Sequence, residues 1–178
     1  MIIDAHVHIC PDKIAAASAK VFYERNKFAW IYDGTVGTMV RLMDETCIAK
    51  AVMVNVVLNP EFVPRANDCT ASRVSEFPNQ LLGFVYIHPE SKNPAGELER
   101  CVKPHGFKAV KINGSLLRYF PEDERMQPVY KKAMDLGIPI LTHAGPTLRI
   151  STNYPRKSKT SSSQSRRAGS RCWGAIPS

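Results

Sequence analysis

The N-terminal stretch Met1-Ile-Ile-Asp-Ala-His-Val-His-Ile9 combines a short apolar strand with two histidines at its end. Side chains two residues apart on a strand point to the same face, so His6 and His8 share one side of the sheet. Asp4 has the same parity and is placed to support that pair. Two imidazoles arranged in this way can bind one metal ion; the alternative is two histidines hydrogen-bonded to the backbone.

Four more apolar runs follow this strand, and segments with helical periodicity separate them. The predicted strands cover residues 2–7, 50–57, 82–87, 107–112 and 138–142. The predicted helices cover residues 13–28, 35–46, 60–77, 95–101 and 126–136. Continuous apolar strands that alternate with helices indicate an α/β fold with a parallel sheet covered by helices. The 178 residues fall short of the roughly 250 that a complete β/α barrel usually needs.

Binding sites of parallel α/β folds form at the carboxyl ends of the strands. His143 ends the fifth predicted strand, which makes it the natural third metal ligand beside His6 and His8. Three histidines leave one position open for water, as in catalytic zinc sites. A bound ion of this kind lowers the pKa of that water toward about 7 and polarises a substrate carbonyl. Taken alone, His143 could equally be a core histidine.

Lys111 lies near the end of the fourth predicted strand. A lysine that points into the mouth of a barrel at this position could bind a substrate carboxylate. The alternative is a lysine that extends along the strand end to solvent. Lys108 has the opposite parity and is expected to face the helices or solvent. His88 is a candidate for substrate contact, whereas His105 lies before a strand and is expected at the surface.

The net charge of +8 is unevenly distributed, because residues 151–178 contain six cations and no acid. Residues 1–150 therefore carry only +2. The Ser-rich, aperiodic composition of 151–178 predicts a disordered basic tail after a domain of residues 1–150. This tail has few aromatic residues for stacking, so its charge alone is a weak argument for nucleic-acid binding.

Five dispersed cysteines without CxxC spacing, and no signal-like N-terminus, predict reduced thiols in the cytoplasm. No apolar run is long enough to span a bilayer, so no membrane association is expected. Cys47 occupies a helix-to-strand turn where a left-handed glycine is usual, at a cost on the order of 1 kcal/mol. Gly137 is expected to end the last helix.

Four segments resemble the amidohydrolase superfamily, in particular its amidohydrolase-related group with aminocarboxymuconate-semialdehyde decarboxylase-like proteins. They are Ile3-Asp-Ala-His-Val-His8, Gly106-Phe-Lys-Ala-Val-Lys111, Pro121-Glu-Asp-Glu-Arg-Met-Gln-Pro-Val-Tyr130 and Leu136-Gly-Ile-Pro-Ile-Leu-Thr-His-Ala-Gly145. The resemblance implies a partial TIM (β/α)8 barrel of about five β/α units and a divalent metal, usually zinc. It implies metal ligation by His6 and His8, with His143 as a ligand or a close contact.

Three interpretations of the function are open, and the two enzymatic ones, which the resemblance implies, act on a small-molecule substrate. The first is a hydrolase with a metal-activated water, in which Lys111 orients an anionic substrate. The second is a metal-dependent decarboxylase of a small carboxylic acid, and the third is a non-catalytic fragment with a weak metal site. The sequence does not separate them, and it leaves oligomerisation open because an incomplete sheet has an exposed edge.

The sequence departs from the family pattern after about residue 145. The Gly-His pair of the sixth strand and the acidic ligand of the eighth have no match, and Asn113 stands where many relatives have His. Codons for Arg171-Cys-Trp-Gly-Ala-Ile-Pro177, when translated from their third bases, permit a Val-Leu-Gly…His string typical of that sixth strand. Our hypothesis is a truncated or frameshifted barrel, which sequencing of the locus tests.

Overall fold

The computed structural model describes residues 1–27 and 29–143, without the side chains of residues 25 and 26. The predicted tail at 151–178 lies outside these residues. The strands are β1 (Ile2–Val7), β2 (Ile48–Met53), β3 (Leu81–Tyr86), β4 (Ala109–Ile112) and β5 (Ile140–Thr142). The helices are α1 (Asp12–Asn26), α2 (Val36–Glu45), α3 (Val63–Glu76), α4 (Pro94–His105), α5 (Gly114–Leu117) and α6 (Gln127–Asp135).

The strands form one parallel sheet in the order β1-β2-β3-β4-β5, so each strand pairs with its neighbours in the chain. Helices connect the strands, as parallel pairing requires. The arrangement is half of a β/α barrel, which confirms the predicted fold class of about five β/α units. The carboxyl ends of all five strands lie at one edge of the half-barrel, which is where sites form in such folds.

Two apolar clusters hold the helices against the sheet. The larger one joins β3 and β4 to α4 and α6, with Leu98 and Met126 wholly buried. The smaller one joins β1 and β2 to α2, where Met39 and Met43 recur at the predicted helical spacing. Side chains that alternate with these clusters along each strand necessarily point to the opposite, inner face of the half-barrel.

Several chain reversals take the predicted backbone form. Gly137 ends the last helical turn with a φ of 65°, and Cys47 has a φ of 58°, so both lie in the left-handed region. Gly106, with a φ of 64°, ends α4 at His105, several residues beyond the predicted end at 101. Pro104 lies inside α4 and leaves the Arg100 carbonyl without its usual helical N–H donor, one turn before the helix ends.

The second strand ends earlier than the apolar run suggested, at Met53 rather than at residue 57. Beyond this point the side chain of Asn67, from α3, binds the free edge of β3. Its Oδ1 accepts from the Tyr86 N–H at 2.9 Å, and its Nδ2 donates to the Tyr86 carbonyl at 3.1 Å. One buried amide therefore replaces a strand partner and satisfies two backbone groups.

Candidate active site

A β-bulge shapes the end of β1. Asp4 pairs with Ala51 and Val7 with Met53, so three steps along β1 face two steps along β2. A bulge leaves one residue out of the ladder and changes the direction of nearby side chains. The backbone N–H of His6 donates to Oδ1 of Asp4 at 3.0 Å. Asp4 thus supports the backbone of the bulge, which is a less direct support of the imidazole pair than its parity predicts.

The bulge brings the rings of His6 and His8 together. Their Nε2 atoms lie 3.2 Å apart, and the ring planes meet at 71°. Nδ1 of His8 lies 2.7 Å from the carbonyl oxygen of Val54, which can only accept, so this nitrogen carries the proton. Neutral His8 therefore has an unprotonated Nε2, which faces His6 and can accept a hydrogen bond from its Nε2.

The spacing of the two nitrogens fits a shared metal ion. Two nitrogen ligands at about 2.1 Å from one ion, separated by about 90–110°, lie roughly 3.0–3.4 Å apart. The hydrogen bond from His8 to Val54 is the contact that usually orients a metal-binding histidine. Both the donor chemistry and the spacing of His6 and His8 therefore fit a divalent cation.

Burial and nearby charges keep this pair neutral. Burial, followed by the charges of His8, Lys111 and His143, lowers the pKa of His6 to about 4, and Asp4 acts in the opposite direction. Burial also lowers the pKa of His8, against the hydrogen bond to Val54. Neutral imidazole is the form that binds metal, so the site is prepared for a cation at ordinary pH.

Lys111 lies on the inner face of β4, opposite Tyr86 in the ladder. It is 1% exposed, and no hydrogen bond or salt bridge joins its ammonium to another described residue. Burial lowers its pKa. Lys108 is exposed, as its parity predicted. A buried cation without an acid partner is costly, so Lys111 has unused capacity to bind an anion.

His143 lies at the end of β5, where its backbone N–H donates to the Ile112 carbonyl at 3.1 Å. It is near enough for its charge to act on His6 and His8. Within 1–27 and 29–143, however, no group of three His, Cys, Asp or Glu side chains is arranged to hold a metal. The structure therefore gathers two of the three predicted ligands, and the third stays a prediction.

Two other polar residues at the strand ends have structural partners. Nδ1 of His88 accepts from the Glu90 N–H at 3.1 Å, and the ring also bonds the backbone of Leu58. His88 thus joins two loops and has no free nitrogen for a substrate. Oδ1 of Asn113 accepts from the Leu116 N–H at 3.1 Å and begins α5.

One contact at the site has no signal in the sequence. The hydroxyl of Tyr32, between α1 and α2, donates to the backbone carbonyl of His8. The two residues are 24 positions apart. Tyr32 ends the apolar run Phe28-Ala-Trp-Ile-Tyr32, but no motif in that run points to His8.

None of the described helices has both the length and the apolar composition needed to cross a bilayer.

Comparison with known proteins identifies the family. A family model described as amidohydrolase matches residues 3–171. This chain belongs to the amidohydrolase family. The matched range extends past residue 145 and includes the segments that contain His6, His8 and Lys111.

Among characterised relatives, gamma-resorcylate decarboxylase from Polaromonas sp. is 29% identical over 121 residues, which cover 58% of this chain and 37% of that protein. A solved dihydroxybenzoic acid decarboxylase from Polaromonas sp., with bound manganese and the inhibitor 2-nitroresorcinol, is 25% identical with a TM-score of 0.61. That match covers 81% of this chain and 49% of the other.

A 5-carboxyvanillate decarboxylase from Novosphingobium aromaticivorans, solved with manganese, has a TM-score of 0.63 at 18% identity and supports the fold. That match covers 82% of this chain and 51% of the other. The chain thus spans between about a third and a half of these relatives. Both solved relatives contain manganese rather than the zinc that the sequence suggested.

Proposed function

We propose that this chain supplies the metal-binding half-barrel of a divalent-metal-dependent enzyme that decarboxylates a small hydroxylated aromatic acid. The observation that carries the proposal is the position of Lys111, a buried residue on the same inner face as the imidazoles of His6 and His8. Its ammonium has no hydrogen-bond or salt-bridge partner among residues 1–27 and 29–143. A cation beside a metal site suits a substrate with a carboxylate and an adjacent oxygen. The relatives with decarboxylase activity act on substrates of this kind, as their names state.

His6 and His8 would hold the ion, manganese in the first instance and zinc as the alternative. When bound, such an ion supplies positive charge that polarises a substrate oxygen next to the reacting carbon. Lys111 would bind the carboxylate through a charge-assisted hydrogen bond and fix its orientation. Burial of this contact strengthens it, because the surroundings have a low dielectric constant.

Decarboxylation also needs an acid that protonates the ring carbon as the C–C bond to CO₂ breaks. His143, at the end of β5 on the inner face, would supply this proton, or it would be a third ligand. The two roles predict different results for the variant His143→Ala. A ligand variant loses metal affinity, whereas an acid variant keeps metal affinity and loses turnover.

The experiment measures Mn²⁺ binding, and then the binding and turnover of 2,6-dihydroxybenzoate by the Mn²⁺-loaded protein. We expect Lys111→Met to raise the Kd for this acid at least tenfold and to leave the Kd for uncharged resorcinol unchanged. Lys108→Met is the matched control, since Lys108 is exposed and lies directly before β4. Equal affinity of Lys111→Met and the parent for the acid would contradict the proposal.

The family description favours a second candidate, a hydrolase with a metal-activated water. In that case the Mn²⁺-loaded or Zn²⁺-loaded protein cleaves amides or esters without release of CO₂. Formation of resorcinol and CO₂ from 2,6-dihydroxybenzoate supports the decarboxylase. Metal binding without either reaction indicates a non-catalytic chain.

A further inference from the structure

Residues 29–35 join α1 to α2 across the carboxyl end of β1, and we name this segment the strap. The strap is attached at two points to the residues that follow β1. The Cys10 N–H donates to the Gly34 carbonyl at 2.8 Å, and the Tyr32 hydroxyl donates to the His8 carbonyl. One attachment point is the proposed metal ligand His8 itself, and the other, Cys10, lies two residues after it.

Aromatic packing fixes the conformation of the strap. The rings of Trp30 and Tyr32 stack with their centroids 6.3 Å apart, and Phe22 of α1 lies 5.5 Å from Trp30. Gly34 is buried with a φ of +82°, and an added Cβ would lie 2.5 Å from the Trp30 ring. The strap is therefore a packed element that presents the Tyr32 hydroxyl at a defined place.

His8 is held on two sides as a result. Val54 binds its ring, and Tyr32 binds the carbonyl of the peptide that follows its Cα. The contact with Val54 determines which ring nitrogen of His8 lacks a proton. The contact with Tyr32 determines the position of the backbone to which the ring is attached. These two contacts act together on the position of the His8 Nε2 atom.

We propose that Tyr32 is a positioning residue for the metal site: its hydroxyl holds the His8 peptide so that the His8 and His6 Nε2 atoms keep a spacing that one ion can bridge. The inference rests on the proposed role of these histidines as ligands. Outer contacts that orient metal ligands typically change metal affinity 10–100-fold when removed. A tyrosine that only packs would leave the bound metal unchanged.

The test compares the parent with Tyr32→Phe, which keeps the ring stacked on Trp30 and removes the hydroxyl. We expect the Kd for Co²⁺ to rise about tenfold. We also expect the visible spectrum of the Co²⁺-saturated variant to differ from that of the parent, because the ligand geometry has changed. A purely structural role would shift the thermal midpoint of the metal-free protein and leave the saturated spectrum unchanged.

Two control variants separate the site from general effects. Tyr23→Phe removes the hydroxyl of an exposed tyrosine on α1. Thr46→Val removes a hydroxyl-to-carbonyl hydrogen bond of 2.6 Å to Leu42, at the opposite end of α2. Both controls are expected to keep the parental Kd and spectrum.

Two results would overturn the role of Tyr32. One is a parental Kd and spectrum for Tyr32→Phe, and the other is an equal loss of affinity in Thr46→Val. The metal site itself is tested separately with His6→Ala. Co²⁺ binding by His6→Ala at the parental affinity would reject the proposed ligands, whereas loss of binding there with no change in Tyr32→Phe would reject only the positioning role.

Discussion

The strands β4 and β1 contribute to the same candidate site but are held in place by different forces. All four residues of β4 are buried, and the strand is paired on both sides. On β1, Ile2 and Ile3 remain 57% and 44% exposed, and β2 is its partner among the described strands. Packing therefore places Lys111, whereas individual hydrogen bonds place His6 and His8.

Side-chain burial and single hydrogen bonds stabilise the folded state by different amounts. Full burial of a large aliphatic side chain contributes about 1.5–3 kcal/mol, whereas a typical hydrogen bond contributes about 0.5–1.5 kcal/mol. Changes near β4 should therefore alter the free energy of unfolding most. Changes near β1 should alter the geometry of the site while the fold survives.

The largest effect is expected in the cluster behind β4. Leu98→Ala removes a wholly buried side chain and should lower the free energy of unfolding by about 3 kcal/mol. Ile3→Ala, on the exposed part of β1, should lower it by less than about 1 kcal/mol. Denaturant unfolding of both variants measures the difference, and equal losses would contradict the distinction between the two strands.

An intermediate effect on the free energy of unfolding is expected at Lys111, where packing buries a charge. Because burial lowers its pKa below the ordinary value of about 10.4, protonated Lys111 destabilises the folded state at neutral pH. Lys111→Met should therefore raise stability at pH 7. The gain should shrink as the pH rises from the folded pKa toward about 10.4, where the unfolded chain also loses the proton.

Thermal unfolding at several pH values provides the measurement, with Lys108→Met as the exposed control that should show no such trend. A variant Lys111→Met that is less stable than the parent at pH 7 would mean that the ammonium has an acidic partner. In that case Lys111 would not be available to a substrate.

The smallest effect on stability is expected at the bulge. Asp4→Ala removes the acceptor for the His6 N–H and should cost about 0.5–1.5 kcal/mol. Co²⁺ affinity should fall several-fold, because the bulge no longer fixes His6. Asp4→Asn retains an acceptor oxygen and should restore most of the affinity; if it behaves like Asp4→Ala, the negative charge matters more than the hydrogen bond.

Local patterns predicted much of this fold. The continuous apolar runs located all five strands, and the parity of Lys111 and Lys108 separated a buried lysine from an exposed one. The left-handed Cys47 was visible because a helix there must turn at once into a strand. Such features depend on neighbours in the chain, which the sequence displays directly.

Contacts between distant residues were not visible in the same way. The parity argument for His6 and His8 assumed a regular strand and did not foresee the bulge. The amide of Asn67 lies on a helix, and its partner Tyr86 is 19 residues away. Neither residue type nor spacing marks such a pair, because Asn on a helix usually faces solvent.

The bulge in β1 lets one strand serve two purposes. Between Asp4 and Val7, β1 has one more residue than the facing part of β2. Val7 keeps its place beside Met53 although the backbone at His6 leaves the regular pairing. The contacts of the bulge therefore set the direction of the imidazoles, whereas the pairing on either side of it sets the alignment of the apolar interior.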